Sequence, residues 1–315
     1  MTDVPAVPPD SPRRRLLLAG LAAIGVVGIA VAATVALTGH SNSRPAAAIG
    51  SPAVTSPAAV SAPASPALSL PVTSAPASSA FSPPVSSPRV AGSLGPVILV
   101  PGYGGDASML DGLATRLDHA GRTTLVLDLP DGATGDLQVQ AGVLAAAVTK
   151  ALAAGAPSVD LVGYSAGGIV IGLFVAAHPS EVRRVVTIGS PLHGTALAGL
   201  AATLLRAQCP VACQEMVPGT PLLASLDAAQ PARTGVPWTS MWTDRDEVVA
   251  PPDSARFTGA TNIVLQDICA DDRATHLNLP ADPLVAAITL KSLAVKQFAS
   301  PSASDCSALR TLGAG

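Results

Sequence analysis

Residues 161–171 read Leu161-Val162-Gly163-Tyr164-Ser165-Ala166-Gly167-Gly168-Ile169-Val170-Ile171. This pattern predicts an apolar strand, a sharp Gly-x-Ser-x-Gly turn and the start of an apolar helix. Such a turn holds its serine in a strained backbone conformation and leaves no room for a β-carbon at Gly163 or Gly167. It also places the Ser165 hydroxyl at the N-terminus of the helix, where N–H groups stabilise negative charge. Nucleophilic chemistry at Ser165 is the leading hypothesis, and a tight connection without chemistry is the alternative.

Predicted strands and helices alternate from residue 96 to residue 293. The predicted strands cover residues 96–100, 123–129, 158–163, 184–188, 238–243 and 261–265. The predicted helices cover residues 109–120, 137–154, 166–178 and 197–205, and a final helix covers Asp282 to Leu293. Because parallel strands need crossover connections, this alternation indicates an α/β fold with a mostly parallel sheet and helices on both faces. Ligands bind such sheets at the carboxyl ends of the strands, so the loops 101–105, 163–167 and 190–195 are expected to converge there.

A serine hydroxyl becomes a nucleophile at neutral pH when a base lies within hydrogen-bond distance and an acid orients that base. His276 is the preferred base because it lies in a polar loop after the last predicted strand. Asp246 is the preferred acid because it closely follows a predicted strand, and Asp244 is the alternative. The unused acid and Glu247 are predicted to be solvated loop charges. His193 precedes these acidic candidates, so it is assigned to substrate contact or loop structure, with the role of base less favoured.

Two backbone N–H groups are predicted to form an oxyanion hole. Attack on an acyl carbonyl places negative charge on its oxygen, which requires donors that are already oriented. The first predicted donor is the N–H of Ala166, next after the serine, and the second is that of Tyr103 in the glycine-rich loop 101–105. That loop contains no Gly-x-Gly-x-x-Gly or Lys-Ser/Thr pattern, so a phosphate-binding role is weakly supported.

The N-terminal region predicts export from the cytoplasm. Three arginines, Arg13 to Arg15, precede 22 residues from Leu16 to Leu37 that contain one hydroxyl and no charge. A segment of this length can cross a bilayer, and the arginines would hold residues 1–15 in the cytoplasm. A cleavable signal peptide fits the pattern equally, so residues 16–38 are predicted to be a signal peptide or a transmembrane anchor. Either way, the rest of the chain is secreted or held at the outer face of the cytoplasmic membrane.

Residues 39–94 are predicted to form a disordered linker. From Pro45 to Pro88 there are 44 residues without a charge, and 33 of them are Pro, Ala or Ser. This composition buries too little apolar surface to offset the entropy lost on ordering, and its prolines favour an extended chain. A glycosylated stalk is the less favoured alternative. Residues 95–315 are then predicted to form the catalytic domain.

Charge and cysteine content limit the partners of this domain. With 18 basic and 21 acidic residues the chain has a formal net charge of −3, which gives no electrostatic basis for binding nucleic acid. Its cysteines are Cys209, Cys213, Cys269 and Cys306, and in an oxidising compartment two disulfides are expected. Of three possible pairings we favour Cys209 with Cys213 and Cys269 with Cys306. The cysteine spacing does not fit a zinc site of Cys-x-x-Cys type, and no metal is expected.

Taken together, these segments resemble a secreted bacterial lipase or esterase of the α/β-hydrolase superfamily. The matching segments are Val97 to Gly105, Gly163 to Gly168, Ile188 to Thr195, Asp246 to Val249 and Thr275 to Leu277. The superfamily also has its nucleophile, acid and histidine in this chain order. The resemblance covers residues 95 to 295 and implies ester hydrolysis through an acyl-enzyme, an apolar acyl cleft and no organic cofactor. Pro101 stands where many relatives have histidine, which leaves the fine geometry of that loop open.

The sequence thus predicts an exported serine hydrolase of lipid or other acyl esters. Ser165 is the predicted nucleophile, His276 the general base and then acid, and Asp246 the orienting carboxylate. An acyltransferase acting on cell-envelope lipids or sugars would use the same residues, and an inactive surface binding module is a further alternative. The region 196–226 is expected to wall the acyl pocket, to form a small lid, or to be ordinary helix packing. We expect a monomer that binds its acyl-ester substrate and, where the anchor is retained, the membrane.

Overall fold

The computed structural model describes residues 94–296 and 299–315. The predicted cytoplasmic N-terminus, the signal or anchor segment and the linker up to residue 93 lie outside these ranges and stay predictions. In the part of the chain that is described, no helix is both long enough and apolar enough to cross a membrane.

One parallel sheet organises the described residues. Its strands are β1 (Val97–Val100), β2 (Thr124–Val126), β3 (Val159–Tyr164), β4 (Val182–Ile188), β5 (Trp238–Trp242) and β6 (Thr261–Val264). They lie in the order β2-β1-β3-β4-β5-β6, and every neighbouring pair is parallel. The order along the sheet reverses between β1 and β3, and ligands bind open α/β sheets beyond the carboxyl ends of the strands at such a point.

Helices connect the strands and extend the chain beyond the sheet. The α-helices are α1 (Asp111–His119), α2 (Leu137–Ala153), α3 (Ala166–Ala177), α4 (Ala196–Leu204), α5 (Val211–Glu215), α6 (Pro221–Ser225), α7 (Pro231–Thr234), α8 (Leu265–Ile268), α9 (Pro283–Ser292) and α10 (Cys306–Ala314). Short 3₁₀ turns cover Ala107–Leu110, Pro130–Ala133, Pro179–Glu181, Arg206–Gln208, Leu226–Ala229, Pro252–Ala255, His276–Ala281 and Ala303–Asp305.

Both faces of the sheet are covered, because successive side chains of a strand point to opposite sides. On one face, Ile98 and Val100 of β1 join a buried cluster that includes residues of α2 and α3. On the other face, Val97 and Leu99 join a second cluster that includes residues of α1 and α9. A strand buried on both sides carries apolar residues continuously, which explains the unbroken apolar run in this part of the sequence.

The predicted α/β fold with a mostly parallel sheet and helices on both faces is confirmed. All six predicted strands occur, although the second is shorter than expected. The prediction that the helix from Asp282 to Leu293 is the final one is wrong, because α10 follows it.

The helix α10 was not predictable from its apolar pattern, because it buries only Leu309 and Gly313. It is fastened to the body of the domain by the Cys269–Cys306 disulfide. It also packs closely against the start of α9, where a β-carbon at position 313 would lie 1.7 Å from the carbonyl oxygen of Pro283. A covalent link and a close backbone approach thus replace the broad apolar face that identifies a helix in sequence.

A buried ionic cluster joins the amino edge of the sheet to the end of α9. Asp160 is fully buried in β3, and its Oδ2 accepts hydrogen bonds from Nη2 of Arg122 at 2.6 Å and from Nη2 of Arg183. The same guanidinium groups donate to the carbonyl oxygen of Leu293, at 3.3 Å from Arg122 and 2.6 Å from Arg183. Two cations thus share one carboxylate and one helix-end carbonyl, which offsets part of the cost of removing all three charges from water.

We expect Asp160→Asn to lower the free energy of unfolding by about 3 kcal/mol, because removing one partner leaves buried guanidinium charge uncompensated. Chemical denaturation followed by circular dichroism measures the change. The matched control is Asp267→Asn at an exposed position of α8, expected to change stability by less than about 0.5 kcal/mol. Equal stabilities for the two variants would contradict a structural role for the Asp160 cluster.

Candidate active site

Ser165 occupies the sharp turn between β3 and α3. Its backbone has φ 52° and ψ −128°, a conformation that costs a non-glycine residue about 1–3 kcal/mol. The surroundings hold it there: the Ser165 N–H donates to the carbonyl of Ile188 at 2.9 Å, and its carbonyl accepts from the N–H of Gly168 at 3.0 Å. The hydroxyl is thereby presented at the carboxyl edge of the sheet, beside the N-terminus of α3.

The two glycines of the turn are required by close backbone contacts. A β-carbon at Gly163 would lie 2.7 Å from the nitrogen of Gly168, and one at Gly167 would lie 2.2 Å from the carbonyl oxygen of Val100. Contacts this short force the backbone to move, and neither neighbour is a flexible side chain. The Gly-x-Ser-x-Gly spacing is therefore a packing requirement between β1, β3 and α3.

His276 lies between the serine and an aspartate, and it is almost fully buried. Its Nε2 is 3.0 Å from Oγ of Ser165, and its Nδ1 is 2.8 Å from Oδ2 of Asp246. With the ring proton on Nδ1 donated to the carboxylate, Nε2 is free to accept the serine proton. The structure therefore brings together the three side chains that the sequence assigns to nucleophile, base and acid.

The carboxylate of Asp246 is oriented by the loop that carries it. Its Oδ1 accepts hydrogen bonds from the N–H groups of Val248 at 3.0 Å and Val249 at 2.7 Å, which leaves Oδ2 for the histidine. These two donors fix the orientation of the carboxylate, so that Oδ2 faces the ring of His276. An anion in this position stabilises the imidazolium that forms when His276 takes a proton.

The alternative candidates lie elsewhere. Asp244 is exposed, and its backbone N–H donates to Oε1 of Gln266 at 3.0 Å, so it does not take the place of the acid. His193 is also exposed, and its Nε2 lies 3.0 Å from the carbonyl oxygen of Arg256. That contact agrees with the predicted structural role of His193 in its loop.

The two predicted oxyanion donors lie at the same edge of the sheet as Ser165. Tyr103 follows β1, and Ala166 begins α3 after β3. The strands β1 and β3 lie on either side of the reversal in strand order. Among the described residues, neither backbone N–H donates a hydrogen bond to the protein. Gly102 packs directly against the serine, since a β-carbon there would lie 3.3 Å from Oγ of Ser165. Both N–H groups are thus available to donate a hydrogen bond to an acyl oxygen.

Comparison with known proteins agrees with this architecture. A family model described as the alpha/beta hydrolase fold matches residues 95–208, which include Ser165 and both predicted oxyanion donors. Lipase B of Aspergillus fumigatus is similar at 22% identity and a TM-score of 0.55, over 70% of this chain and 61% of that one. Lipase BlEst2 of Bacillus licheniformis in its mature form is similar at 22% identity and a TM-score of 0.54, over 67% of this chain and 96% of that one. The fold is that of the α/β-hydrolases.

Three residues around the histidine of this α/β-hydrolase fold were not assigned to the site from the sequence. The hydroxyl of Tyr164 donates to the carbonyl oxygen of His276 at 3.0 Å. Glu247, predicted to be a solvated loop charge, is exposed overall but accepts the backbone N–H of His276 on its Oε2 at 3.2 Å, so that prediction is wrong for its carboxylate. Gly189 has φ 55°, and a β-carbon there would lie 3.4 Å from both Oδ2 of Asp246 and Nδ1 of His276. The position of Gly189 directly after β4 was the sequence signal that pointed to a place in the site.

Tyr164 remains protonated in this site. Burial raises the pKa of its phenol well above the usual value, and the nearby charges of Asp246 and Glu247 raise the pKa further. A phenol that keeps its proton is a permanent donor. The contact with the carbonyl of His276 therefore persists over the working pH range.

An apolar stripe lies next to the loop of Asp246. The helix α4 carries no charged residue, and Leu197, Leu200 and Leu204 recur on one of its faces and are each at least 37% exposed. The start of the helix is tied to the acid's loop, because Oγ1 of Thr195 donates to the carbonyl of Val248 at 2.7 Å. The stripe is therefore available to an apolar ligand near the carboxyl edge of the sheet.

The cysteines form the disulfides Cys209–Cys213 and Cys269–Cys306, the two pairings favoured from the sequence. The first lies just beyond α4, and the second joins the segment after α8 to α10. Across residues 94–296 and 299–315, no group of three or more His, Cys, Asp or Glu side chains is placed to hold a metal ion.

A surface pocket of about 460 Å³ lies at the opposite, amino edge of the sheet. It is lined by Leu94 to Pro96, Gly121 to Thr123 and segments of residues 151–157. Arg122 is its one ionisable lining residue, and that guanidinium is already engaged by Asp160. The lining of this pocket includes no base that would activate the Thr123 hydroxyl, so the chemistry is assigned to the carboxyl edge.

We expect Gly102→Ala to slow covalent labelling of Ser165 by a fluorophosphonate about 100-fold. Its β-carbon would lie 2.7 Å from Cβ of Ser165, and displacing a reacting group by a fraction of an ångström to an ångström has effects of this size. Labelling kinetics followed by mass spectrometry give the measurement.

The matched control is Gly142→Ala on the exposed face of α2, where an added β-carbon meets nothing within 4 Å. It should label at the rate of the wild-type protein and gain about 0.5–1 kcal/mol of stability, because alanine favours a helix over glycine. Labelling of Gly102→Ala at the control's rate would contradict the close contact with the serine.

Proposed function

We propose that this protein is an exported serine hydrolase that cleaves carboxylic esters of apolar acyl groups through an acyl-enzyme. The observation that carries the proposal is the continuous line of hydrogen bonds from Ser165 through His276 to Asp246. A serine in ordinary packing has no need of a buried base that is itself held by a buried carboxylate.

Acylation starts with attack of Oγ of Ser165 on the ester carbonyl. His276 accepts the serine proton on Nε2, and Asp246 stabilises the resulting imidazolium. The carbonyl oxygen gains negative charge and is met by the N–H groups of Tyr103 and Ala166, together with the positive end of α3. As the intermediate collapses, the ester C–O bond breaks, the histidine donates its proton to the departing alkoxide, and the alcohol leaves.

Deacylation repeats the sequence with water in place of serine. Nε2 of His276 takes a proton from water, and the hydroxide formed attacks the acyl carbonyl. Collapse of the second intermediate breaks the bond to Oγ of Ser165, which recovers its proton from the imidazolium. The products are a carboxylic acid and the free enzyme, and no oxidant or organic cofactor enters the cycle.

The proposed preference for apolar acyl groups and the proposed export of the protein rest on separate observations. The exposed leucines of α4 favour an apolar acyl chain, and the two structural neighbours described above are lipases by name. Two disulfides persist in an oxidising environment, and the predicted N-terminal signal or anchor would deliver the domain to one.

We expect Ser165→Ala to abolish turnover of p-nitrophenyl butyrate and Asp246→Asn to lower kcat by about 10³- to 10⁴-fold, because an amide does not hold the histidine in the required tautomer. Acid-quenched mass spectrometry of the wild-type protein should show one acyl group on the peptide that contains Ser165. The matched control is Asp244→Asn, two residues away and exposed, which should keep kcat within about 2-fold of wild type. Unchanged turnover by Ser165→Ala would refute the proposed function.

We expect Leu200→Gln to lower kcat/KM for p-nitrophenyl palmitate about 5- to 20-fold and to leave the butyrate ester nearly unaffected. Removing one apolar side chain from a long acyl chain forfeits about 1–2 kcal/mol of contact. Gln is also a good helix former, so α4 should remain intact.

The control for this substitution is Leu312→Gln on α10, which is 44% exposed and lies on the C-terminal helix. It should leave both esters unaffected. Equal losses on the long and short esters in Leu200→Gln would show that α4 does not bind the acyl chain.

A further inference from the structure

Two residue pairs, Tyr164-Ser165 and Asp246-Glu247, approach His276 in the same way. In each pair one side chain contacts the imidazole ring and its neighbour contacts the main chain of the same histidine. The ring is held by Ser165 at 3.0 Å and Asp246 at 2.8 Å, while the main chain is held by Tyr164 at 3.0 Å and Glu247 at 3.2 Å. The histidine is thus fixed at four points by two dipeptides from different parts of the chain.

We propose that Tyr164 and Glu247 form a backbone clamp that positions His276 for proton transfer, the phenol holding its C=O and the carboxylate its N–H. The proposal rests on the proposed function, since a clamp matters only where the histidine acts as a base. Neither residue touches the reacting atoms, so both are positioning residues and not catalytic ones.

The local backbone of His276 explains why a clamp is needed. His276 begins a 3₁₀ turn, and Thr275 before it is extended, with φ −99° and ψ 174°. The first N–H groups of a helical turn have no partner within the turn, so the N–H of His276 needs an acceptor from elsewhere. Glu247 supplies it, with a negative charge at the end of the turn where negative charge is favourable.

The tyrosine contributes rigidity from the core. Tyr164 is the last residue of β3 and is only 2% exposed, and its ring centroid lies 5.2 Å from that of His276. A hydroxyl buried this deeply is costly without a partner, so its bond to the carbonyl of His276 has little freedom to shift. Tyr164 lies between Gly163 and Ser165 in the turn. Its hydrogen bond therefore fixes the position of the base relative to the nucleophile.

The test compares fluorophosphonate labelling of Ser165 and ester turnover in the full-length protein and its variants. Tyr164→Phe and Glu247→Ala should each slow labelling and lower kcat about 10-fold with KM unchanged, because binding is intact and only the alignment of the base is lost. Glu247→Gln keeps a side-chain oxygen that accepts the N–H of His276 and should recover labelling to within about 3-fold of wild type.

The matched control for the glutamate is Glu181→Ala, in the turn before β4 at the amino edge of the sheet, which should label at the wild-type rate. The thermal unfolding midpoint of each variant is measured as well, and a midpoint within about 5 °C of wild type indicates an intact fold. Wild-type labelling rates in both Tyr164→Phe and Glu247→Ala would overturn the clamp while leaving the proposed function intact. Equally slow labelling by the Gln and Ala variants of Glu247 would overturn it too, and a wild-type protein that does not label at Ser165 would remove the proposed function itself.

Discussion

The two hydrogen bonds of the His276 ring require side chains from different strands to meet at the carboxyl edge of the sheet. Ser165 follows β3 and Asp246 follows β5, so the imidazole has to bridge two strands that are separated by β4. Neighbouring strands lie about 4.8 Å apart, so the bridge passes over the end of the strand between them. Gly189 directly follows that strand with φ 55°, and a β-carbon there would lie 2.6 Å from Cδ1 of Leu279 and 3.4 Å from Oδ2 of Asp246 and Nδ1 of His276.

A parallel sheet meets this requirement more easily than an antiparallel one. Residues that follow parallel strands all emerge at the same edge, whereas alternate strands of an antiparallel sheet end at opposite edges. Side chains 30 and 111 positions away from the histidine therefore reach it without long excursions of the chain. Open α/β sheets have a crevice where the strand order reverses, and the reversal between β1 and β3 places Tyr103 and Ala166 beside it.

The sequence predicts most of this arrangement because its signals are local. Glycines at 163 and 167 mark the turn, a strand end precedes Asp246, and His276 follows the last strand. Contacts between distant segments have no such signal. Nothing in the residues next to Glu247 indicates that its carboxylate reaches a backbone N–H 29 positions later, and nothing next to Gly313 indicates that it packs against the carbonyl oxygen of Pro283.

Hydrogen bonds between the start of α4 and the loop of Asp246 limit how α4 is able to move. Oγ1 of Thr195 donates to the carbonyl of Val248, and the N–H of Ala196 donates to that of Ala250 at 2.8 Å. The N–H of Val248 in turn orients Asp246. A displacement of the first turn of α4 would therefore pull on the carboxylate that holds the histidine. Any motion of α4 that keeps the base aligned has to leave residues 195–196 in place and is restricted to the later turns of the helix.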